Sequence, residues 1–152
     1  MRKIIFTRPD GGVSVVVPAI NTLPDPEKIT EAEAEQRAWD KLPTIAINPR
    51  FVTDAEIPTD RTFRNAWEDS AGIKVNMPKA RDIHKERLRT MRAPKLAKLD
   101  VDYIRADEAG NTALKVKIAG QKRALRDVTV DSRIVAATTP EELKNVIPSV
   151  LL

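Results

Sequence analysis

The stretch Pro78–Val128, PKARDIHKERLRTMRAPKLAKLDVDYIRADEAGNTALKVKIAGQKRALRDV, decides the fold of this 152-residue chain. It is rich in Lys, Arg, Ala and Leu, and it lacks the alternation of polar and apolar residues that is typical of a strand. Apolar residues recur at helical spacing on both sides of Gly110-Asn111, a dipeptide that favours a helix stop and a turn. The stretch therefore predicts an antiparallel helical hairpin.

Two prolines mark the first predicted helix of this hairpin. Pro78 falls in the first turn, where a missing N–H costs nothing. Pro94 falls inside the helix, where we expect a kink or a break at a cost of about 3 kcal/mol. The predicted apolar faces consist of Ala80, His84, Leu88, Met91, Leu96, Leu99, Tyr103 and Ala106 in the first helix, and of Leu114, Ile118, Gln121, Leu125 and Val128 in the second.

The sequence before this stretch is typical of β-hairpins. Lys3–Thr7 and Val13–Val17 are rich in β-branched residues, and the cluster Arg8-Pro9-Asp10-Gly11-Gly12 between them favours a turn. A second hairpin is predicted from a strand at Arg61–Glu68, a turn at residues 69–72 and an alternating strand at Ile73–Met77. Together these segments predict a small antiparallel sheet.

One helix is expected within the β-rich half, and one short helix at the end of the chain. Thr30 and Glu33 form a capping-box pattern, which predicts a helix from there to about Leu42. Thr139-Pro140-Glu141-Glu142 has the same pattern and predicts a terminal helix at Glu141–Val146. The remaining predictions are a loop at residues 21–28 with Pro24 and Pro26, and short extended pieces at Thr44–Ile47 and Arg50–Thr53.

The predicted fold class is therefore α+β. β-Hairpins in a small antiparallel sheet with one helix occupy residues 1–77, and a helical hairpin with a short terminal helix occupies residues 78–152. The boundary is soft, because nothing in the sequence decides whether the two parts share one core.

Composition excludes several classes of site. The chain has no cysteine, so it has no disulfide, no thiolate metal site and no cysteine nucleophile. Its opening, Met1–Phe6, briefly imitates a signal peptide, but the apolar run stops at Thr7. No stretch approaches the roughly 18 to 20 apolar residues that span a bilayer. These features favour a cytoplasmic protein that does not bind membranes.

The sequence offers no constellation of catalytic, cofactor-binding or metal-binding residues. His84 is the only histidine, and its apolar neighbours favour a structural role. Asp100 and Asp102 are two residues apart, so on a helix they point in different directions. Gly11-Gly12 belongs to a turn and is not followed by the helix and lysine of a phosphate loop. We therefore expect no enzyme activity, no cofactor and no metal.

Two groups of residues are candidates for binding a partner. The basic residues Arg81, Lys85, Arg89 and Arg92 fall within a stripe of about 80° on the predicted helix. Such a stripe meets an acidic protein or, alternatively, follows a phosphate backbone. Phe63 and Trp67 share one face of the predicted strand, and they form either core or an exposed binding surface.

Three segments carry a resemblance to a known group of proteins. They are DRTFRNAW at residues 60–67, KARDIH at residues 79–84 and QKRALRDV at residues 121–128, with RAPKLAKLD at residues 92–100 between the last two. Over residues 60–147 the chain resembles small proteins of prophage tail regions, and above all the helical module of phage tail and tail-fibre assembly chaperones. It departs from them at Gln121–Arg123, where tail-fibre chaperones often have an aromatic residue.

The resemblance implies a protein that binds a tail or tail-fibre component during assembly in the bacterial host cytoplasm. The alternatives are a structural component that stays in the virion and, less favoured, a nucleic-acid-binding protein that uses the basic helix at residues 79–98. Self-association is left open.

Overall fold

The computed structural model describes residues 1–20 and 29–152, and the chain falls into two units, Met1–Asn76 and Met77–Leu152. Unit 1 contains antiparallel strands and one longer helix, and unit 2 is built from helices. The predicted α+β class is confirmed. The loop predicted at residues 21–28 lies outside the described residues.

Unit 1 is organised around a three-stranded antiparallel sheet in the order β2-β1-β3. Its strands are β1 (Lys3–Thr7), β2 (Val13–Val16) and β3 (Ile47–Val52). Gly11 has a φ of 78° in the turn between β1 and β2, as expected for a glycine-dependent hairpin. β3 takes an edge position, which tolerates Pro49 because an edge strand does not need every backbone donor.

Both faces of this sheet are buried, since the consecutive residues Ile4, Ile5 and Phe6 of β1 are all buried. Ile5, Val13, Val52, Ile57 and Trp67 form a buried cluster. A short hairpin of β4 (Trp67–Asp69) and β5 (Ile73–Val75) supplies the tryptophan. Because side chains alternate between the two faces of a strand, Ile5 of β1 belongs to this cluster, whereas Ile4 and Phe6 are buried on the other face of the sheet.

Helix α1 (Glu31–Asp40) begins with the predicted capping box, in which Thr30 Oγ1 accepts from the Glu33 amide at 3.2 Å. Its Glu35 is buried and accepts hydrogen bonds from the Arg2 guanidinium at 2.7 and 3.0 Å. The same guanidinium lies 4.3 Å from the ring centre of Phe51. This network ties the helix to the start of the chain.

The strand predicted at Arg61–Glu68 is wrong. Residues Arg64–Ala66 form a single 3₁₀ turn, and extended structure begins only at Trp67. Phe63 and Trp67 are both buried, each with 2% of its surface exposed, but the turn between them brings them inward. Both a strand and a tight turn can bury residues that are four positions apart. The spacing of Phe63 and Trp67 alone therefore does not distinguish a strand from a turn.

Unit 2 consists of a long helical hairpin followed by short helices. The hairpin pairs α2 (Met77–Glu108) with α3 (Thr112–Arg126). Gly110 between them has a φ of 63°, and Asn111 Oδ1 accepts from the Leu114 amide at 3.0 Å. The short helices are α4 (Ser132–Ala136) and α5 (Pro140–Lys144), with 3₁₀ turns at Asp127–Val130 and Ser149–Leu151. The predicted hairpin is therefore present, and so is the terminal helix, which spans Pro140–Lys144 instead of Glu141–Val146.

Pro94 does not break α2, which runs continuously from Met77 to Glu108. Its side chain lies on the exposed side of the helix. Two neighbouring side chains bond to other parts of unit 2, Arg92 to the end of α3 and Lys95 to the carbonyl of Val150. These attachments hold the helix on both sides of the missing hydrogen bond, which sequence periodicity does not reveal.

Leu88 anchors α2 in the core of unit 2, where none of its surface is exposed. We expect Leu88→Ala to lower the free energy of unfolding by about 2–5 kcal/mol, because it removes buried methyl groups and leaves a cavity. Val101→Ala, at a position of α2 that is 47% exposed, should change it by less than about 0.5 kcal/mol. Urea unfolding curves followed by circular dichroism measure both. Equal losses would contradict the placement of Leu88.

The Arg2–Glu35 pair predicts a pH dependence. Hydrogen bonds from Arg2 hold the pKa of Glu35 below its ordinary value of 4.5. A lowered pKa in the folded state stabilises the fold above that ordinary value, and this contribution is lost as the pH falls. We expect Glu35→Gln to flatten the fall in Tm below about pH 5, whereas Glu108→Gln, at an exposed position, should leave it unchanged. Thermal melts over a series of pH values provide the test.

Candidate functional site

The predicted partner residues Phe63 and Trp67 are not on the surface. Both are 2% exposed, and Trp67 belongs to the core cluster of unit 1. The interpretation of this face as a binding surface is therefore corrected, and the alternative, core packing, holds. Two large rings four residues apart were buried by a turn instead of lying on an open sheet face.

Two members of the predicted basic stripe serve the structure of unit 2. Arg81 donates to the carbonyls of Ile134, at 3.2 Å, and Ala137, at 2.9 Å. Arg92 Nη1 donates to the carbonyl of Arg126 at 2.6 Å. Carbonyls at the end of a helix lack hydrogen-bond donors within the helix, and these arginines supply the donors.

The other two members of the stripe are paired locally. Lys85 lies 4.0 Å from Asp82, and Arg89 forms an ion pair with Glu86. Pairs three residues apart on an exposed helix face contribute little to stability. The four residues therefore do not form a continuous array of unengaged cations, which weakens the phosphate-backbone hypothesis.

His84 is 4% exposed and lies 2.9 Å from the carbonyl of Val146. Because a carbonyl only accepts, Nε2 of His84 must carry the proton and donate. This side chain holds the segment after α5 against α2. Across residues 1–20 and 29–152, no three His, Cys, Asp or Glu side chains are grouped so that they could hold a metal ion.

A groove of about 450 Å³ runs along one side of the hairpin near its turn. We call it the hairpin groove. Leu99 and Ala106 of α2 and Leu114 and Ile118 of α3 form its apolar floor. Ala106 and Ile118 are buried, whereas Leu114 keeps 41% of its surface exposed. An exposed leucine at the edge of an apolar depression is a feature of surfaces that bind another molecule.

The rim of the hairpin groove is mostly basic. Arg105 and Lys117 line it, and both are exposed. Lys98 lines an adjoining depression of about 300 Å³ that shares Leu99 and Gln121 with the groove. Within the described residues, none of these three cations forms an ion pair, although Asp102 lines the same groove. The rim therefore offers positive charge without an internal partner.

The opposite side of the hairpin carries ion pairs beside a depression of about 430 Å³ that Tyr103, Lys122, Arg123 and Arg126 line. Lys122 lies 2.5 Å from Asp100, and Lys115 bonds to Asp107, which raises the pKa of Lys115. Both ammonium groups lie over the ring of Tyr103, at 5.2 and 5.5 Å from its centre. The two sides thus differ in their lining, because polar and charged side chains line the depression on one side and apolar side chains form the floor of the groove on the other.

The C-terminal segment fills the same side of the hairpin at its other end. Lys95 donates to the carbonyl of Val150 at 3.2 Å, and Leu151 is 7% exposed. Val150 lines the adjoining depression, where the covering chain stops. The hairpin groove is therefore the part of this furrow that the C-terminal segment does not cover.

Sequence reasoning did not identify the groove. It placed Leu99, Ala106, Leu114 and Ile118 on the faces that pack against each other, and the structure does bring them together. Spacing could not show that the C-terminal segment covers only one end of the hairpin. Local spacing gave no sign of the groove, because Lys115 and Lys122 also lack a carboxylate three or four residues away and nevertheless form ion pairs across the hairpin.

Comparison with models of protein families, with curated proteins and with solved structures finds no match to this chain. No helix among the described residues combines the length and the apolar character that crossing a bilayer requires.

Arg92 is expected to be structural. Arg92→Met keeps the aliphatic stem but leaves carbonyls at the end of α3 without a partner, so the free energy of unfolding should fall by about 1–3 kcal/mol. Arg89→Met removes only an exposed pair and should cost less than about 0.5 kcal/mol. Chemical denaturation of the two variants compares them directly. Equal stability would show that Arg92 acts only as a surface cation.

Proposed function

We propose that this protein is a phage tail or tail-fibre assembly chaperone, or a related accessory protein, that acts by binding another protein through the hairpin groove. The observation that carries the proposal is the open apolar floor of Leu99, Ala106, Leu114 and Ile118. A chaperone needs such a surface and no catalytic residues. The resemblance of residues 60–147 to tail assembly chaperones supplies the kind of partner.

The asymmetry of the hairpin supports this proposal. Ion pairs and basic side chains line the Tyr103 side of the hairpin, whereas apolar side chains form the floor of the hairpin groove. The chain covers part of the open side with its own C-terminal segment and leaves the remainder exposed. An unfilled apolar depression on a folded surface favours the binding of a partner.

The assembly role places the protein in the bacterial host cytoplasm, bound to a tail or tail-fibre protein before the particle is complete. A structural component of the virion would use the same groove permanently, and the two roles differ in whether the protein remains in the particle. The nucleic-acid hypothesis has less support, since Arg81 and Arg92 are engaged by carbonyls. Catalysis has little support, since His84 bonds to a backbone carbonyl.

The test begins with tagged protein recovered from a bacterial host in which the phage tail genes are expressed. We expect mass spectrometry to identify a tail or tail-fibre protein of the same phage in the recovered material. Leu114→Asp should reduce its recovery at least about tenfold, the effect of losing about 1.4 kcal/mol of binding free energy. Val116→Asp is the matched control, because Val116 is 69% exposed on α3 and does not line the groove.

Purified particles separate the two assembly roles. A chaperone should be absent from them, whereas a virion component should be present at a constant number of copies. Recovery of a tail protein that is equally reduced by both substitutions would contradict binding through the groove. Recovery of no tail or tail-fibre protein at all would contradict the proposed function.

A further inference from the structure

The length and cross-section of the open furrow indicate the shape of its occupant. The hairpin groove and the adjoining depression extend along α2 from Lys95 to Ala106, which is about 16 Å at 1.5 Å per residue. Side chains of two antiparallel helices leave a furrow into which a third helix packs. A helix of about eleven residues, or about three turns, would fill this length.

The C-terminal part of the chain packs helical turns against the same hairpin at its other end. The 3₁₀ turn Ser149–Leu151 contacts α3, and α5 contacts α2. Leu143 and Leu151 are buried there, with 0% and 7% of their surfaces exposed. Short helical turns with buried leucine side chains thus cover one end of the hairpin. A helical segment with similar side chains therefore fits the uncovered end.

The charges around the furrow restrict the occupant further. Lys98, Arg105 and Lys117 have no ion-pair partner within residues 1–20 and 29–152, and Asp102 is the carboxylate that lines the same groove. An occupant with Asp or Glu beside its apolar face would pair with these cations, and a basic one would be repelled. Exposed charge pairs add little affinity, so they act mainly on specificity and on the rate of association.

We propose that the hairpin groove binds one amphipathic helix with acidic flanks, about three turns long, that belongs to the tail or tail-fibre partner. The identity of the partner in this inference rests on the proposed function, whereas the class of ligand rests on the chemistry of the groove. Apolar residues at positions i, i+3, i+4 and i+7 of that helix lie on Leu99, Ala106, Leu114 and Ile118. Its carboxylates lie beside Lys98, Arg105 and Lys117.

The test uses two fluorescein-labelled synthetic peptides of about twelve residues and the full-length protein. Both peptides carry leucine at i, i+3, i+4 and i+7, and their flanking positions carry glutamate in one and lysine in the other. Fluorescence anisotropy should give a Kd at least about tenfold lower for the glutamate peptide at low salt, a difference of about 1.4 kcal/mol. The difference should shrink at about 0.5 M salt, where charges are screened.

Substitutions show which residues cause the preference for the glutamate peptide. Arg105→Glu combined with Lys117→Glu should reverse the preference between the two peptides. The control is Arg61→Glu combined with Arg64→Glu, which changes the net charge equally at two exposed positions of unit 1 and should leave the preference intact. Leu114→Asp should weaken binding of both peptides at least about tenfold, because it places a charge on the apolar floor. Circular dichroism melts check that each variant is folded.

Other outcomes overturn the inference in ways that can be told apart. If neither peptide binds, or if both bind with equal affinity, the occupant is not an acidic helix. This conclusion would hold even if the tagged protein still recovers a tail protein and Leu114→Asp reduces that recovery. A dimer that light scattering detects and Leu114→Asp dissolves would make a second copy of this chain the occupant. Preference for the glutamate peptide without recovery of any tail protein would leave the groove chemistry standing and refute only the phage role.

Discussion

Bonds from side chains of α2 to backbone carbonyls at the ends of the short helices are the interactions on which unit 2 depends. Arg92 bonds to the end of α3, Arg81 to the end of α4, and Lys95 and His84 to the chain that follows α5. Helix ends leave carbonyls that must find donors when water is excluded. A single long helix supplies these donors, so it acts as the frame on which the rest of the unit is arranged.

This use of basic side chains explains why the first half of α2 is so rich in lysine and arginine. Charge in this segment suggests a surface that binds an acidic partner or a phosphate backbone, and Arg81 and Arg92 occur in the same spacing as the exposed Arg89. Their targets are far along the chain, however, more than thirty residues away in each case. Lys98, Arg105 and Lys117, which form no ion pair with the described residues, lie farther along the hairpin.

The distribution of these bonds also produces the groove. The donors Arg81, His84, Arg92 and Lys95 all lie in the first two thirds of α2, so the C-terminal segment is held there. Beyond the depression that Val150 lines, the apolar residues that α2 and α3 share line an open groove on one side of the hairpin. The other side, around Tyr103, carries ion pairs beside a depression lined mostly by polar side chains. The positions of these basic side chains on α2 thus determine both how the C-terminal segment is held and where the proposed binding surface stays open.

The sequence by itself determined the elements that depend on interactions between residues close together in the chain. The capping boxes at Thr30 and Thr139, the glycine turn of the first hairpin and the Gly110-Asn111 turn all act within a few residues, and each one is present in the structure. Tertiary structure decided what depends on distant partners. It buried Phe63 and Trp67 through a turn, carried α2 past Pro94, directed Arg81 and Arg92 to carbonyls and left the hairpin groove uncovered. Local patterns follow from backbone geometry and hydrogen bonds between near neighbours, whereas which face stays open depends on where the last segment of the chain comes to rest.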